Sequence, residues 1–192
     1  MLSQEEVMGI FRETGALLSG HFVLSSGLHS PIYFQCALVF QYPEHAEKLG
    51  QALASRFQDR SVDVVVSPAV GGIVVGQEVG RALGVRAIFA ERESGQMTLR
   101  RGFHIERGAR ALVVEDVMTT GGSTGDVMAV VQAQGGRVVG VGVVVDRSGG
   151  SVRWEVPVQS LAQLEAVAYR PEECPLCRDK VPVVKPGSRG MR

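Results

Sequence analysis

Short apolar segments alternate with helical stretches through the middle of this 192-residue chain, and this alternation restricts the possible folds more than any other feature. The apolar segments are 62–66, 87–89, 111–114 and 138–145. Strands that are apolar along their whole length are buried on both faces, which is typical of a parallel sheet covered by helices. The pattern therefore predicts an α/β fold with an open parallel sheet and flanking helices. Ligands of such sheets bind beyond the carboxyl ends of the strands, so residues that follow a strand are functional candidates.

Two helices are expected before the alternation begins. Residues 3–6 have the Ser-x-x-Glu pattern of a capping box, which predicts a helix from Gln4. Pro43 suits the first turn of a second helix, which reaches about Gln58. Between the helices, residues 20–41 are expected to form short extended pieces.

The length of the chain fits a single domain over 1–192, because one hydrophobic core is complete at about this size. We expect the core of the domain over 43–147. A small hood would be formed by 1–42 together with part of 148–192. The end of the chain, from residue 171, holds four of the eight prolines and is expected to be irregular.

Composition disfavours several classes of protein. Lys+Arg and Asp+Glu each number 20, so the net charge is zero, whereas a sequence-independent nucleic-acid binder carries a basic excess. No apolar run approaches the ~20 residues of a membrane span, and the first residues lack the basic and apolar regions of a signal peptide. Three cysteines do not make a disulfide framework. We therefore expect a cytoplasmic protein that binds neither nucleic acid nor membranes.

The strongest functional signal is the stretch 113–123, which reads Val-Val-Glu-Asp-Val-Met-Thr-Thr-Gly-Gly-Ser. A buried strand ends in Glu115 and Asp116, and a turn rich in hydroxyls and glycines leads into a helix. The backbone N–H groups of such a turn and the helix dipole suit a phosphate, and glycine lets the backbone come close to it. The two carboxylates can accept hydrogen bonds from neighbouring hydroxyls. A ribose 5-phosphate satisfies both requirements.

Residues 91–107 do not fit the alternation of strands and helices. They include the arginines Arg92, Arg100, Arg101 and Arg107, together with two glycines. A loop of this length inside a compact domain is usually functional. We expect it to be mobile and its arginines to neutralise an anionic group.

Together these features resemble the type I phosphoribosyltransferases, which use phosphoribosyl pyrophosphate (PRPP). The stretch 113–123 is similar to the PRPP motif of that family, and 67–72 is similar to its pyrophosphate loop. Residues 22–34 look like the N-terminal segment of the members that use orotate. Asp146 and Arg147 end the last apolar strand, where those members place a base-binding arginine. The resemblance covers nearly the whole chain in the expected order, and it implies the fold of that family with its N-terminal hood.

The resemblance also implies a reaction and a set of site residues. Orotate would receive the phosphoribosyl group of PRPP, and PRPP would carry Mg²⁺ without direct protein ligands to the metal. The residues that bind PRPP would be Ala69, Val70, Gly71, Arg92, Glu115, Asp116, Val117, Met118, Thr119, Thr120, Gly121, Gly122 and Ser123. The residues that bind orotate would be Ser26, Gly27, Tyr33, Phe34, Thr119 and Arg147. The catalytic residues would be Glu115, Asp116, Arg100 and Arg101, and residues 91–107 would reach the neighbouring site of a homodimer.

Lysines expected in two segments are missing from the pattern. The family commonly has a lysine in the segment that matches 24–29 and others in its catalytic loop, whereas neither segment has one here. Arginine neutralises pyrophosphate as well as lysine does, but it stays protonated and cannot act as an acid. We therefore expect Arg100 or Arg101 to replace the loop lysines in charge neutralisation only.

Other interpretations remain open at this stage. A type I transferase for a purine base would share the PRPP site, although its substrate has no carboxylate for Arg147. A non-catalytic regulator that binds RNA would keep the fold, but zero net charge and an intact acid pair disfavour it. Arg147 and the arginines of 91–107 could also be ordinary surface residues, and Tyr33 and Phe34 could be core aromatics.

The pair Cys174 and Cys177 has the C-x-x-C spacing of some metal sites. One such pair supplies two ligands, whereas a structural zinc ion requires four. Cys36 would be a third ligand only if the fold brought it close. We therefore expect reduced thiols that contribute to packing, and we expect His21 and His29 to be structural or exposed.

Overall fold

The computed structural model describes residues 2–24, 27–164 and 167–186. Its helices are α1 (Gln4–Glu13), α2 (Cys36–Phe40), α3 (Pro43–Ala54), α4 (Gly72–Leu83), α5 (Gly122–Ala133) and α6 (Pro175–Arg178). Its strands are β1 (Leu17–Val23), β2 (His29–Phe34), β3 (Val64–Pro68), β4 (Arg86–Glu93), β5 (Gln96–Leu99), β6 (Arg110–Met118), β7 (Arg137–Asp146) and β8 (Val158–Gln163). Short 3₁₀ turns follow α3 at Ser55–Phe57 and precede α6 at Pro171–Glu173.

The central sheet has the strand order β5-β4-β3-β6-β7-β8. Every neighbouring pair is parallel except β4 and β5, which form an antiparallel hairpin at one edge. The predicted α/β fold with a parallel sheet is confirmed. Because β3, β6 and β7 lie side by side in parallel, their carboxyl ends meet at one edge of the sheet.

Helices cover both faces of this sheet, as the fully apolar strands require. On one face, α1, α3 and α4 bury Phe11, Leu53 and other apolar side chains against the strands. On the other face, α5 buries Val127 and Val131. Phe57 fits against the sheet only because β7 carries glycine below it: an added Cβ at Gly140 would lie 2.7 Å from the Phe57 ring. A larger residue at that position would displace this ring from the core.

The two helices predicted at the start of the chain are present. The Glu6 N–H donates to Ser3 Oγ at 3.2 Å, and the Ser3 N–H donates to Glu6 Oε2 at 2.7 Å, so the capping box of α1 is complete. Helix α3 starts at Pro43 and ends four residues before the predicted Gln58, with its last turn tightened into the 3₁₀ form. Neither the short α2 nor the edge strand β8 is predicted by the sequence pattern.

Residues 91–107 are not the single irregular loop expected from the sequence. Their first part completes β4, turns at Ser94 and Gly95, and returns as β5. Both turn residues have positive φ, 50° and 87°, which matches the twist of a tight two-residue hairpin. The pattern does not indicate strands because this edge hairpin has few buried apolar residues. Beyond β5, Phe103 packs edge-on against Phe89 at 5.1 Å between ring centroids.

A separate two-stranded sheet, β1 with β2, lies beside the last described segment of the chain. The Val23 N–H donates to the Val184 carbonyl at 2.9 Å, and His29 and Tyr169 exchange two backbone hydrogen bonds of 2.8 Å. The start and the end of the chain are therefore joined in one substructure, which we call the hood. The predicted boundaries of the hood and of the 43–147 core stay predictions. Within the described part of the chain, no helix combines the length and apolarity needed to cross a membrane.

Candidate active site

A cleft of about 590 Å³ opens where the carboxyl ends of the central strands face the hood. Predicted site residues line it from several segments: Tyr33, Phe34, Ala69, Val70, Gly71, Glu115, Asp116, Val117, Thr119, Ser123 and Arg147. A smaller pocket of about 180 Å³ adjoins it and is lined by Arg92, Glu115, Val117, Met118, Thr119, Thr120, Gly121, Gly122, Ser123 and Thr124. Glu115, Val117, Thr119 and Ser123 line both, so the two spaces lie side by side.

The paired carboxylates lie two residues before the end of β6. Glu115 lines both spaces, and Asp116 lines the larger one. Glu115 is buried and accepts a 2.8 Å hydrogen bond from Thr124 Oγ1, which fixes its carboxylate against α5. Burial raises the pKa of Asp116, although the backbone N–H of Val117 and the thiol of Cys36 partly offset this by stabilising its charged form. Burial raises the pKa of the Cys36 thiol well above its ordinary value, and the neighbouring Asp116 is the second cause of this shift. The charge of Asp116 is held in a poorly solvated position that faces the cleft.

The turn that follows β6 surrounds the smaller pocket with backbone and hydroxyl groups. Gly121 precedes α5 with a φ of 73°, a conformation that favours glycine. An added Cβ there would lie 2.8 Å from Val152 and 3.1 Å from the Trp154 ring, so the turn has no room for a side chain. The first N–H groups of α5, a twelve-residue helix, have no partners within the helix and provide donors for an anion.

The segment after β3 forms the opposite wall of the cleft. The peptide bond between Ala69 and Val70 is cis, and Val70 is 69% exposed. At Gly71 the backbone lies directly over Asp116, and an added Cβ would collide with its carboxylate. A ligand held by this loop would therefore lie next to the acid pair.

The far end of the cleft contains a buried guanidinium. Arg147 is 5% exposed, donates from Nη2 to Ser30 Oγ at 3.2 Å, and lies over the Phe34 ring at 5.3 Å. Burial lowers its pKa, and Tyr33 opposes that shift. Among residues 2–24, 27–164 and 167–186, no carboxylate forms an ion pair with Arg147. A buried cation without a counter-charge is costly, so this end of the cleft favours an anionic ligand.

Two of the residues predicted to bind orotate are not seen at the cleft. Ser26 lies outside the described residues, and Gly27 is not among the residues that line the cleft. Lys185, near the end of the described chain, lines the cleft although the sequence does not predict it. The family's lysine is expected at 24–29, and no local sequence signal marks the tail as part of the site.

The predicted arginines of 91–107 have separate positions. Arg92 lines the smaller pocket, forms an ion pair with Asp126, and donates to the Gly95 carbonyl at 2.9 Å. Arg100 and Arg101 pair instead with Glu91, at 3.3 and 3.0 Å. Neither Arg100 nor Arg101 lines the cleft of its own chain.

Comparison with known proteins identifies the class to which this fold and site belong. A family model described as a phosphoribosyl transferase domain matches residues 39–175. The chain belongs to this family.

Similar sequences narrow the class further. The chain is 57% identical over 188 residues to an orotate phosphoribosyltransferase of Pelotomaculum thermopropionicum, covering 98% of this chain and 99% of that protein. It is 53% identical to an orotate phosphoribosyltransferase of Desulforamulus reducens, covering 98% of each. Among solved structures, orotate phosphoribosyltransferase from Aeropyrum pernix matches with a TM-score of 0.67 and 27% identity over 83% of this chain and 94% of that one. Within the family, the chain groups with the orotate phosphoribosyltransferases.

Proposed function

We propose that this protein transfers the phosphoribosyl group of PRPP to orotate and releases orotidine 5′-monophosphate and pyrophosphate. The observation that carries the proposal is Arg147, a buried guanidinium at one end of a cleft whose other end is a phosphate-binding turn. The carboxylate of orotate supplies the counter-charge that this arginine lacks within the described part of the chain. A purine base has no such group and would leave Arg147 unpaired.

The reaction exchanges one bond at ribose C1 for another. The bond from C1 to the pyrophosphate oxygen breaks and its electron pair leaves with pyrophosphate. A ring nitrogen of orotate forms the new bond to C1, and the proton of that nitrogen passes to solvent. Positive charge develops on the ribose between these events, as in glycosyl transfer generally. The protein therefore contributes mainly by positioning the reactants and stabilising charge.

Each wall of the cleft has a part in that task. The turn 119–123 and the start of α5 hold the 5-phosphate. Asp116 and Glu115 accept hydrogen bonds from the ribose hydroxyls, and the negative charge of Asp116 favours the developing cation. The loop 68–71 holds the pyrophosphate over Asp116, and Tyr33 lies beside the base.

Magnesium enters this proposal as part of the substrate, bound to the oxygens of PRPP. No direct protein ligand to the ion is part of this proposal, because Asp116 and Glu115 bind the ribose hydroxyls. When bound, the ion neutralises charge on the departing pyrophosphate. The free thiols at Cys36, Cys174 and Cys177 fit a reducing cytoplasm as the compartment of the enzyme.

The panel experiment that tests this function measures pyrophosphate release from PRPP and Mg²⁺ with orotate, uracil, adenine or hypoxanthine as the acceptor. We expect pyrophosphate release when orotate is the acceptor, and none with uracil, adenine or hypoxanthine. Uracil is the informative comparison, because it has the same pyrimidine ring without the carboxylate. Equal release with uracil would contradict the role of Arg147, and release with a purine base would replace the proposed substrate.

We also propose that the enzyme is a homodimer in which 91–107 completes the neighbouring site. The position of Arg100 and Arg101 outside the cleft of their own chain supports this arrangement. A complementation experiment tests this with two variants, Arg100→Ala/Arg101→Ala and Asp116→Asn. Each variant alone is expected to have little or no activity. After equal amounts of the two are mixed and exchange subunits at random, about a quarter of all sites should be whole, because each mixed dimer has one intact site.

The complementation assay needs a matched measurement of subunit exchange, for example by mass labels on the two variants. Recovered activity in proportion to mixed dimers is the expected result. No recovery in the presence of demonstrated exchange would show that the loop serves its own chain. Trypsin cleavage within 91–107 gives a second measurement, since Mg²⁺-PRPP should protect these bonds by closing the loop.

A further inference from the structure

Four side chains with metal-binding chemistry meet in the hood, away from the walls of the cleft. They are His21, His29, Cys174 and Cys177, and their ligand atoms all lie within 4.8 Å of one another. The two histidines come from β1 and β2, and the two cysteines flank the start of α6. His21, His29 and Cys174 are buried, and Cys177 lies at the surface.

The sulfur–nitrogen separations are close to those around one tetrahedral ion. Zinc–nitrogen and zinc–sulfur bonds of about 2.0 and 2.3 Å place neighbouring ligand atoms about 3.3–3.8 Å apart. Here the Cys174 and Cys177 sulfurs lie 3.5 and 3.7 Å from His21 Nε2, and the Cys177 sulfur lies 3.2 Å from His29 Nδ1. The two imidazole nitrogens are 2.8 Å apart. Small outward shifts of the two rings would centre the four atoms on one ion.

The hydrogen-bond partners of His21 support the same conclusion. Its Nδ1 donates to the Val181 carbonyl at 2.8 Å, which leaves the lone pair of Nε2 directed into the cluster. A ligating histidine usually donates its other N–H to a carbonyl or carboxylate in this way. One nitrogen, His29 Nδ1, and both sulfurs converge on that single lone pair, which cannot accept from all three. A metal cation at the centre of the cluster would accept one lone pair from each imidazole and from each thiolate, and its charge would offset that of the thiolates.

We propose that these four residues bind one structural zinc ion. Two thiolates and two imidazoles in a closed tetrahedral set are a donor combination that selects zinc. The C-x-x-C pair alone supplies half of the ligands, and the fold supplies the other half from residues about 150 positions earlier. The ion would fasten the tail to the β1–β2 hairpin. Ser30, which follows His29, contacts Arg147, so the ion would stabilise the hood that carries one wall of the cleft.

The first test measures the metal content of the full chain, purified under reducing conditions without chelator. We expect about one zinc ion per chain, as one closed four-ligand site requires. The Cys174→Ser/Cys177→Ser variant should hold at most about a tenth of that amount, because thiolate ligands dominate such a site. Cys36→Ala is the matched control: it removes a cysteine outside the cluster and should keep the zinc content of the natural chain.

The second test uses the unaltered sequence, so it does not depend on the folding of a variant. Removal of zinc by a chelator should lower Tm by about 5 °C or more, and added zinc should restore it. Replacement by Co²⁺ should give the visible absorption of tetrahedral cobalt with thiolate ligands. His29→Gln should weaken that absorption, whereas His45→Gln, on α3, should leave it unchanged.

Several results would overturn the proposal. One is a natural chain that holds no zinc after purification and after incubation with zinc in reducing buffer. Another is undiminished zinc in the double cysteine variant, which would place the ion elsewhere. Stoichiometric iron in place of zinc, or a Cys174–Cys177 disulfide that persists in protein purified under reducing conditions, would also refute it.

Discussion

The two ends of the cleft are built in different ways. The end that we propose binds the 5-phosphate, called the phosphate end, is built mainly from one stretch, 115–124, which runs from the last part of β6 into α5, with Arg92 added from β4. The base end is assembled from distant parts of the chain: Tyr33 from the hood hairpin, Arg147 from the end of β7, and Lys185 from the tail. One end depends on local geometry, and the other depends on long-range packing. Changes at the phosphate end should therefore affect chemistry without unfolding, and changes at the base end should affect affinity for one substrate.

The largest effect is expected for Asp116→Asn, next to the phosphate end. The amide keeps the shape of the side chain but removes the charge that we propose stabilises the ribose cation. We expect kcat to fall by about 10²-fold or more, with Tm changed by only a few degrees. Steady-state kinetics and thermal unfolding measure the two quantities. Asp63→Asn, at the opposite end of the sheet, is the matched control and should leave kcat unchanged; near-normal turnover of Asp116→Asn would refute its role.

A smaller and more selective effect is expected for Arg147→Ala, at the base end. A charge-assisted hydrogen bond to the orotate carboxylate contributes about 1.5–3 kcal/mol, so the KM for orotate should rise about 10- to 100-fold. The KM for PRPP should change little, because the phosphate end does not depend on this residue. Arg153→Ala, exposed in the loop after β7, is the control. An equal rise in both KM values would mean that Arg147 is structural and that the two ends are not independent.

Lys185 tests whether the tail belongs to the base end. Lys185→Met keeps most of the apolar stem and removes the charge, so the KM for orotate should rise only about two- to fivefold, as for a partly solvated ion pair. Lys180→Met makes the same change at an exposed position of the same tail and should have no effect. If Lys185→Met raised the KM for PRPP alone, the tail would serve the phosphate groups and the division between the two ends would need revision.

The smallest expected effect concerns the pH dependence of kcat/KM. The Cys36 thiol stabilises the charged form of Asp116, so Cys36→Ala should raise the pKa of Asp116 further. Because the proposed role of Asp116 requires its carboxylate form, the acid limb of the pH profile should move to higher pH. Cys36→Ser keeps a hydrogen-bond donor and should move the limb less. A shift to lower pH in Cys36→Ala would contradict the proposed interaction.

The sequence predicts the local features of this molecule and misses those that depend on contacts between distant segments. The capping box at Ser3 and the turn before α5 can be predicted because all the residues that form each motif are close together in the sequence. The pair His21 and His29 carries no such pattern, since its partners lie about 150 residues away along the chain. Lys185 likewise lines the cleft together with residues distant in sequence. The edge strand β5 is missed for another reason: an edge strand buries little, so it lacks the apolar pattern that marks β3 or β7.

The joining of the hood to the tail has a consequence for synthesis on the ribosome. Once residue 146 has emerged, the strands and helices that frame the phosphate end are all available to fold. The hairpin of β1 and β2 is made much earlier, yet its partners Tyr169 and Val184 are among the last described residues of the chain. Folding during translation therefore completes the phosphate end first. Strands β1 and β2 are synthesised early, but the base end can close only after the tail segment that pairs with them has been synthesised.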